Sequence, residues 1–150
     1  MSLYGFLVLI HVIAAVCGLR ATFAIPILMN RPKTASQAQF AFHVNEGIEK
    51  LAKIGSLTLL ITGLLLGALN PFLFTKVWYI ASLVLFVAVQ PVVAVILPKR
   101  MAEQKKILDG YEGEELPDSY LQISKKIAPY NGFLHTAAIL LIVLMVTKPF

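Results

Sequence analysis

The sequence predicts an all-α fold, a four-transmembrane-helix bundle with both termini on the outer, non-cytoplasmic side. Three observations predict it. Hydrophobic residues make up 58% of the 150-residue chain and charged residues 14%, against about 45–50% and about 25% in water-soluble domains. Four apolar runs each reach the ~20 residues needed to cross a hydrocarbon core of ~30 Å. Ten of the thirteen basic residues fall in or beside two of the three connections, which the positive-inside rule assigns to the cytoplasm.

Each element follows from the pattern. Helix one covers residues 3–29. No basic residue precedes it, and its apolar length far exceeds the ~7–15 residues of a signal-peptide core, so it reads as a resident helix. Helix two is expected at about 45–69, with its apolar part from Leu51 to Leu69. Helix three is expected at about 73–98, apolar from Val77 to Leu97, and Pro91 after Gln90 predicts a kink near mid-membrane. Helix four is expected at about 120–147, apolar from Ile127 to Val146. Helix is the form a spanning segment takes because each backbone polar group must be satisfied within the segment. The four make one integral membrane domain, residues 1–150.

The first connection, Asn30 to Lys50, carries Arg31, Lys33 and Lys50, and Lys53 lies just beyond it. The third, Pro98 to Lys126, carries Lys99, Arg100, Lys105, Lys106, Lys125 and Lys126. Its acidic run Asp109–Asp118 reads as a solvated loop bracketed by Gly110 and Pro117. Only Lys76 and Lys148 lie at the opposite side, near the short turn Asn70–Lys76 and the chain end. This pattern accounts for the net charge of +5 as membrane topology, so no nucleic-acid partner is expected. The single Cys17 excludes an internal disulfide and a Cys-x-x-Cys site. No phosphate loop, dinucleotide fingerprint or nucleophile elbow is present.

Polar side chains within a bilayer are costly, so each is a functional candidate. They are His11, Arg20, Gln90, Asn131 and His135, with Lys76 and Lys53 at the boundaries. On the same face as His11 runs a stripe of small residues, Ala14, Ala15, Gly18 and Thr22, at three-four spacing. Such a stripe leaves space for something flat and wide, and a neutral imidazole can ligate haem iron. The competing reading is a histidine hydrogen-bonded to a neighbouring helix. Lys76 faces the same leaflet. It reads either as the partner of an anionic group, such as a porphyrin propionate, or as a snorkelling boundary lysine. Arg20 lies about 180° around helix one from His11 and ~13 Å deeper, with Glu46, Glu49 or a lipid phosphate as its natural partner. Asn131, His135 and Thr136 form a polar stripe on helix four. The depth of His135 does not match that of His11, which favours an interhelical hydrogen bond over a second axial ligand. Gly63-x-x-x-Gly67 reads as close helix packing.

Short stretches in all four helices are similar to one family. They are Leu9-Ile10-His11-Val12-Ile13 with Phe23-Ala24-Ile25-Pro26, Glu49-Lys50-Leu51-Ala52-Lys53 with Thr62-Gly63, Thr75-Lys76-Val77, and Tyr130-Asn131 with the closing Thr147-Lys148-Pro149-Phe150. Together they resemble the HemJ-type membrane protoporphyrinogen IX oxidases. Relatives of that family include CopD-like copper-resistance proteins and uncharacterised four-helix membrane proteins, and a sister family of the last kind fits better than the oxidases themselves. The resemblance implies a haem b bundle with His11 as axial ligand and Lys76 functionally important. The reaction it implies is the six-electron oxidation of protoporphyrinogen IX. The chain departs from the family pattern at Gly18, Ile27 and Asn131-Gly132-Phe133-Leu134, and Arg20 stands where a small residue belongs.

The expectation is therefore a haem-binding redox protein of a bacterial cytoplasmic membrane. His11 holds iron, Lys76 holds a propionate, and Ala14, Ala15 and Gly18 seat the ring. Its partners are the lipid bilayer and a porphyrin or other small molecule. Four short helices enclose little volume, which leaves room for a homodimer with the ligand at its interface. The alternatives are a carrier of a small solute or of copper, with Gln90-Pro91, Asn131 and His135 along its path, and a non-catalytic accessory subunit of a membrane complex.

Overall fold

The computed structural model describes residues 2–149. It is nearly all helical, with four helices long and apolar enough to cross a membrane. Helix α1 (Leu3–Met29) starts at Ser2, whose hydroxyl accepts from the Gly5 amide at 3.1 Å. Helix α2 (Ala35–Leu69) starts at Thr34, which caps the Gln37 amide. A 3-10 turn, Pro71–Thr75, leads into α3 (Val77–Pro91). A π turn at Val92–Ile96 joins α3 to α4 (Leu97–Leu108), and α5 (Asp118–Thr147) follows. The π turn comes directly after Pro91, whose missing N–H and ring disrupt the ordinary ladder there.

Two helices run further than the charge pattern suggested. Helix α2 begins at Ala35 rather than near 45, and the α3–α4 rod continues to Leu108 rather than ending near 98. The reason is a second, smaller core. Ala35, Ala38 and Phe42 recur at three-four spacing and bury against Met101, Leu108 and Tyr120. The extensions are therefore amphipathic, and they pack beyond the apolar spans. Gln104 ties α4 to α5 by donating to the Ser124 hydroxyl at 2.7 Å and the Tyr120 carbonyl at 3.3 Å. Lys105 pairs with Glu46 at 2.6 Å, outside the apolar spans, and that hydrogen bond and charge hold the Glu46 carboxyl below its ordinary value. The Gln39 amide donates to the Leu108 carbonyl at the end of α4, and the Ala35 amide donates to the Glu114 carbonyl. The α1–α2 and α4–α5 connections thus form one pole of the bundle, the loop end. The start of α1, the Pro71–Thr75 turn and the end of α5 form the other, the terminal end.

In the apolar zone α1 packs along α2, and α5 bridges α1 to α3 and α4. The α1–α2 contact is backbone on backbone. A Cβ placed on Gly55 would lie 2.7 Å from the Gly18 amide nitrogen and 3.1 Å from the Ala14 carbonyl oxygen. Small residues let membrane helices approach this closely, so that van der Waals packing holds them. The ring of helices closes where α3 meets α2: the Tyr79 hydroxyl donates to the Gly63 carbonyl at 2.9 Å.

Candidate functional site

His11 faces α2. Its Nδ1 lies 2.8 Å from the Thr62 hydroxyl, which itself donates to the Thr58 carbonyl at 2.7 Å. A hydroxyl has one proton. With that proton directed at Thr58, Thr62 is an acceptor for a protonated His11 Nδ1, the tautomer in which Nε2 keeps its lone pair; the Leu59 carbonyl also lies beside the imidazole. Metal-ligating histidines use the same arrangement, one ring nitrogen fixed by a hydrogen bond and the other free.

Gly63, the next residue on α2, makes room for the imidazole, whose Cε1 would stand 3.3 Å from a Cβ there. The carbonyl of the same Gly63 takes the Tyr79 hydroxyl, and Tyr79 is buried edge-on to Phe74 and Trp78. Two cations stand beside this aromatic cluster: Lys76 over the Phe72 ring at 4.6 Å, and Lys148 over Trp78 at 5.7 Å. The terminal end thus gathers His11, Thr62, Tyr79, Lys76 and Lys148 from four different spans and their ends. Thr62 and Tyr79 are not among the polar candidates the sequence offers. The signals in the chain are the Thr62-Gly63 stretch of the resemblance, beside Gly63-x-x-x-Gly67, and for Tyr79 its place one turn after Lys76.

The other candidates lie apart from this site. Ala14 is buried and Gly18 lies against the backbone of Gly55 and Ser56, so α2 fills the seat that the small stripe was expected to offer a flat ring. Ala15 is half-buried beside it. Arg20 is exposed on α1. The two carboxylates expected for it are engaged elsewhere, Glu46 with Lys105 and Glu49 with Lys53 and the Asn45 amide. Among the described residues Arg20 makes no salt bridge.

His135 has a structural task. Its Nε2 lies 2.9 Å from the Thr22 carbonyl oxygen, so it donates there, and its ring stacks on Phe23 at 5.0 Å. Thr22 precedes Pro26 by four residues. Pro26 has no N–H to offer that carbonyl, and in lipid an unmet carbonyl is costly; the imidazole of α5 supplies the missing donor. Thr22 is eleven residues beyond His11 on α1, ~16 Å along the axis, so the two histidines do not share a ligand. The Gln90 amide donates to the Phe86 carbonyl of its own helix at 3.1 Å. Asn131 lines a small void with Pro26, Met101, Gln104 and Ser124, of about 30 Å³, enough for a water molecule. Asn131 and His135 thus both face α1, near Pro26 and Thr22, while the Gln90 amide is engaged within its own helix.

Four apolar helices with a polar cluster between them define a multi-pass integral membrane protein. The chain belongs to the family described as "Predicted integral membrane protein (DUF2269)", whose pattern matches residues 5–149. No curated protein and no solved structure matches it.

Proposed function

We propose that this is a haem-binding redox protein of the membrane, with His11 Nε2 as the iron ligand. The observation that carries the reading is the His11–Thr62–Thr58 chain, which supports the Nδ1–H tautomer, the one with Nε2 as a lone-pair donor. Lys76 and Lys148, both beside the aromatic cluster of Phe72, Trp78 and Tyr79, would pair with the two propionates of a porphyrin. The donor set fits; the ring seat on Ala14, Ala15 and Gly18 does not, because α2 lies against Gly18. The porphyrin is therefore assigned to the terminal end by its ligand and its carboxylate partners alone. When bound, haem supplies one-electron exchange. The chain's own residues orient the imidazole, neutralise the carboxylates and keep the site in an apolar, aromatic setting.

The finer reading, a protoporphyrinogen IX oxidase-like activity, rests on the resemblance to the HemJ-type proteins. The charge pattern supports termini on the non-cytoplasmic side of a bacterial cytoplasmic membrane, with the loop end in the cytoplasm. The test is an absorption spectrum of detergent-purified protein from haem-replete cells, oxidised and then dithionite-reduced. A stoichiometric Soret band that is lost in His11→Ala supports the reading. Identical spectra for wild type and His11→Ala sink it.

A further inference from the structure

A second site lies at the loop end, between α4 and α5. Val92, Arg100, Lys126, Pro129, Tyr130 and Phe133 line a shallow, open groove there. A proline stands in or beside each helix segment that forms it. Val92 begins the π turn after Pro91, and Pro129 lies within α5.

The groove straddles a charge boundary. From Val77 to Pro98 the α3–α4 rod holds no charged residue, and Lys99 and Arg100 follow at once. From Ile127 to Thr147 α5 holds none, and Lys125 and Lys126 precede it. The floor residues Val92, Pro129 and Phe133 thus belong to the apolar side, and the two cations to the polar side. Tyr130 sits at the junction, where aromatic residues with a polar tip are favoured at a lipid–water interface. Arg100 donates to Glu103 at 3.2 Å through one nitrogen; a guanidinium has five donors, so most remain. With Glu103 counted, the groove keeps a net positive charge.

We propose that this groove binds one anionic phospholipid, its phosphate between Arg100 and Lys126 and an acyl chain along Val92, Pro129 and Phe133. Charge complementarity selects the headgroup, since basic pockets between membrane helices take acidic lipid head groups. The apolar floor on the membrane side of the cations selects a lipid over a free phosphate, because it continues the headgroup pocket into the span. The site shares no residue with the His11 cluster and stands independently of the haem reading.

The test uses delipidated protein in mild detergent, titrated with phosphatidylglycerol, phosphatidylcholine or inorganic phosphate and read by native mass spectrometry. Phosphatidylglycerol is expected to bind in preference to phosphatidylcholine. Arg100→Gln with Lys126→Gln is expected to weaken it roughly 25-fold, the product of about fivefold for each lost cation. Lys50→Gln with Lys53→Gln, a cation pair outside the groove, is expected to change it less than about twofold on the same scale. Val92→Trp fills the floor, leaves both cations, and is expected to abolish the lipid adduct. Equal phosphatidylglycerol binding by the Arg100/Lys126 double variant overturns the proposal, as does retained binding by Val92→Trp. Inorganic phosphate binding as tightly as the lipid overturns it too, since that outcome means an anion site without an acyl groove. Arg100→Lys with Lys126→Arg keeps the charges and is expected to keep the preference for the anionic lipid, which separates lost charge from lost fold.

Discussion

The Nε2–H of His135 on α5 meets the carbonyl oxygen of Thr22 on α1 at 2.9 Å, the oxygen that Pro26 leaves without its intrahelical donor. Each half of this relationship explains the other. A proline in a spanning helix needs an outside donor, and a histidine in lipid needs a partner. Replacing His135 by Phe, which keeps a ring to stack on Phe23, is expected to cost ~0.6–2 kcal/mol, the range for interhelical hydrogen bonds in membranes. The same change in a Pro26→Ala background is expected to cost less, because the backbone amide that the substitution restores then serves Thr22. A double-mutant cycle in a mild-detergent unfolding assay reads the difference; equal costs in both backgrounds contradict the account.

The Gly18–Gly55 contact yields a graded set of alanine substitutions. Gly55→Ala puts a methyl 2.7 Å from backbone, where no side chain can move aside, and is expected to cost ~1–3 kcal/mol as overpacking does. Gly47 and Gly132 have nothing within 4 Å of an added Cβ. There Ala is expected to be neutral or to stabilise by up to ~1 kcal/mol through helix propensity. Thermal shifts of the three variants give the order directly.

If His11 holds iron, Thr62 sets its tautomer. Thr62→Val keeps the shape and removes the acceptor, and is expected to weaken haem binding by roughly 10–100-fold, as loss of an outer-shell partner does. The Soret titration of the variant should differ from wild type, whereas that of Thr136→Val, on the exposed face of α5, should not.

The Tyr120 hydroxyl is buried without a hydrogen-bond partner among the described residues. Removing an unpaired buried polar group relieves its desolvation cost. Tyr120→Phe is therefore expected to be neutral or stabilising in the same thermal assay. Gln104→Leu, which deletes the donor to Ser124 and the Tyr120 carbonyl, is expected to destabilise by about 1–3 kcal/mol.

The Glu46–Lys105 pair gives a pH dependence whose sign is fixed by its shifts. The Glu46 value is lowered from 4.5, so its contribution is present above that pH and is lost as pH falls through the lowered value. Lys105 is raised from 10.5, so its contribution is present below that pH and is lost as pH rises through the raised value. Both side chains are about half exposed, so salt screens the pair. A Tm difference between wild type and Glu46→Gln is expected at about pH 7 in low salt, and is expected to shrink as pH falls below the ordinary carboxylate range or in about 1 M salt.

The four spans were legible because lipid imposes one rule: a segment that crosses it must be apolar and must satisfy its own backbone. That rule reads off composition and run length, and it located α1 from Leu3 to Met29 and the end of α2 at Leu69. It is silent where helices leave the membrane. The start of α2 at Ala35 and the end of α4 at Leu108 depended on the core of Phe42, Met101 and Tyr120, whose members lie far apart in the chain. The periodicity of Ala35, Ala38 and Phe42 is present in the sequence; the polar and charged residues that follow them drew the expected boundary inward.

The sequence by itself determined that this is a four-span membrane protein with most of its cations in two of its connections, and it named His11, His135 and Arg20 as the unusual intramembrane residues. Tertiary structure decided the setting of each one. It turned His11 toward Thr62, gave His135 to the carbonyl that Pro26 orphans, left Arg20 exposed, and filled the small-residue stripe with Gly55. The physical reason is that a residue's cost in lipid is local and readable in the chain. Its remedy is a partner on another helix, and only packing chooses that partner.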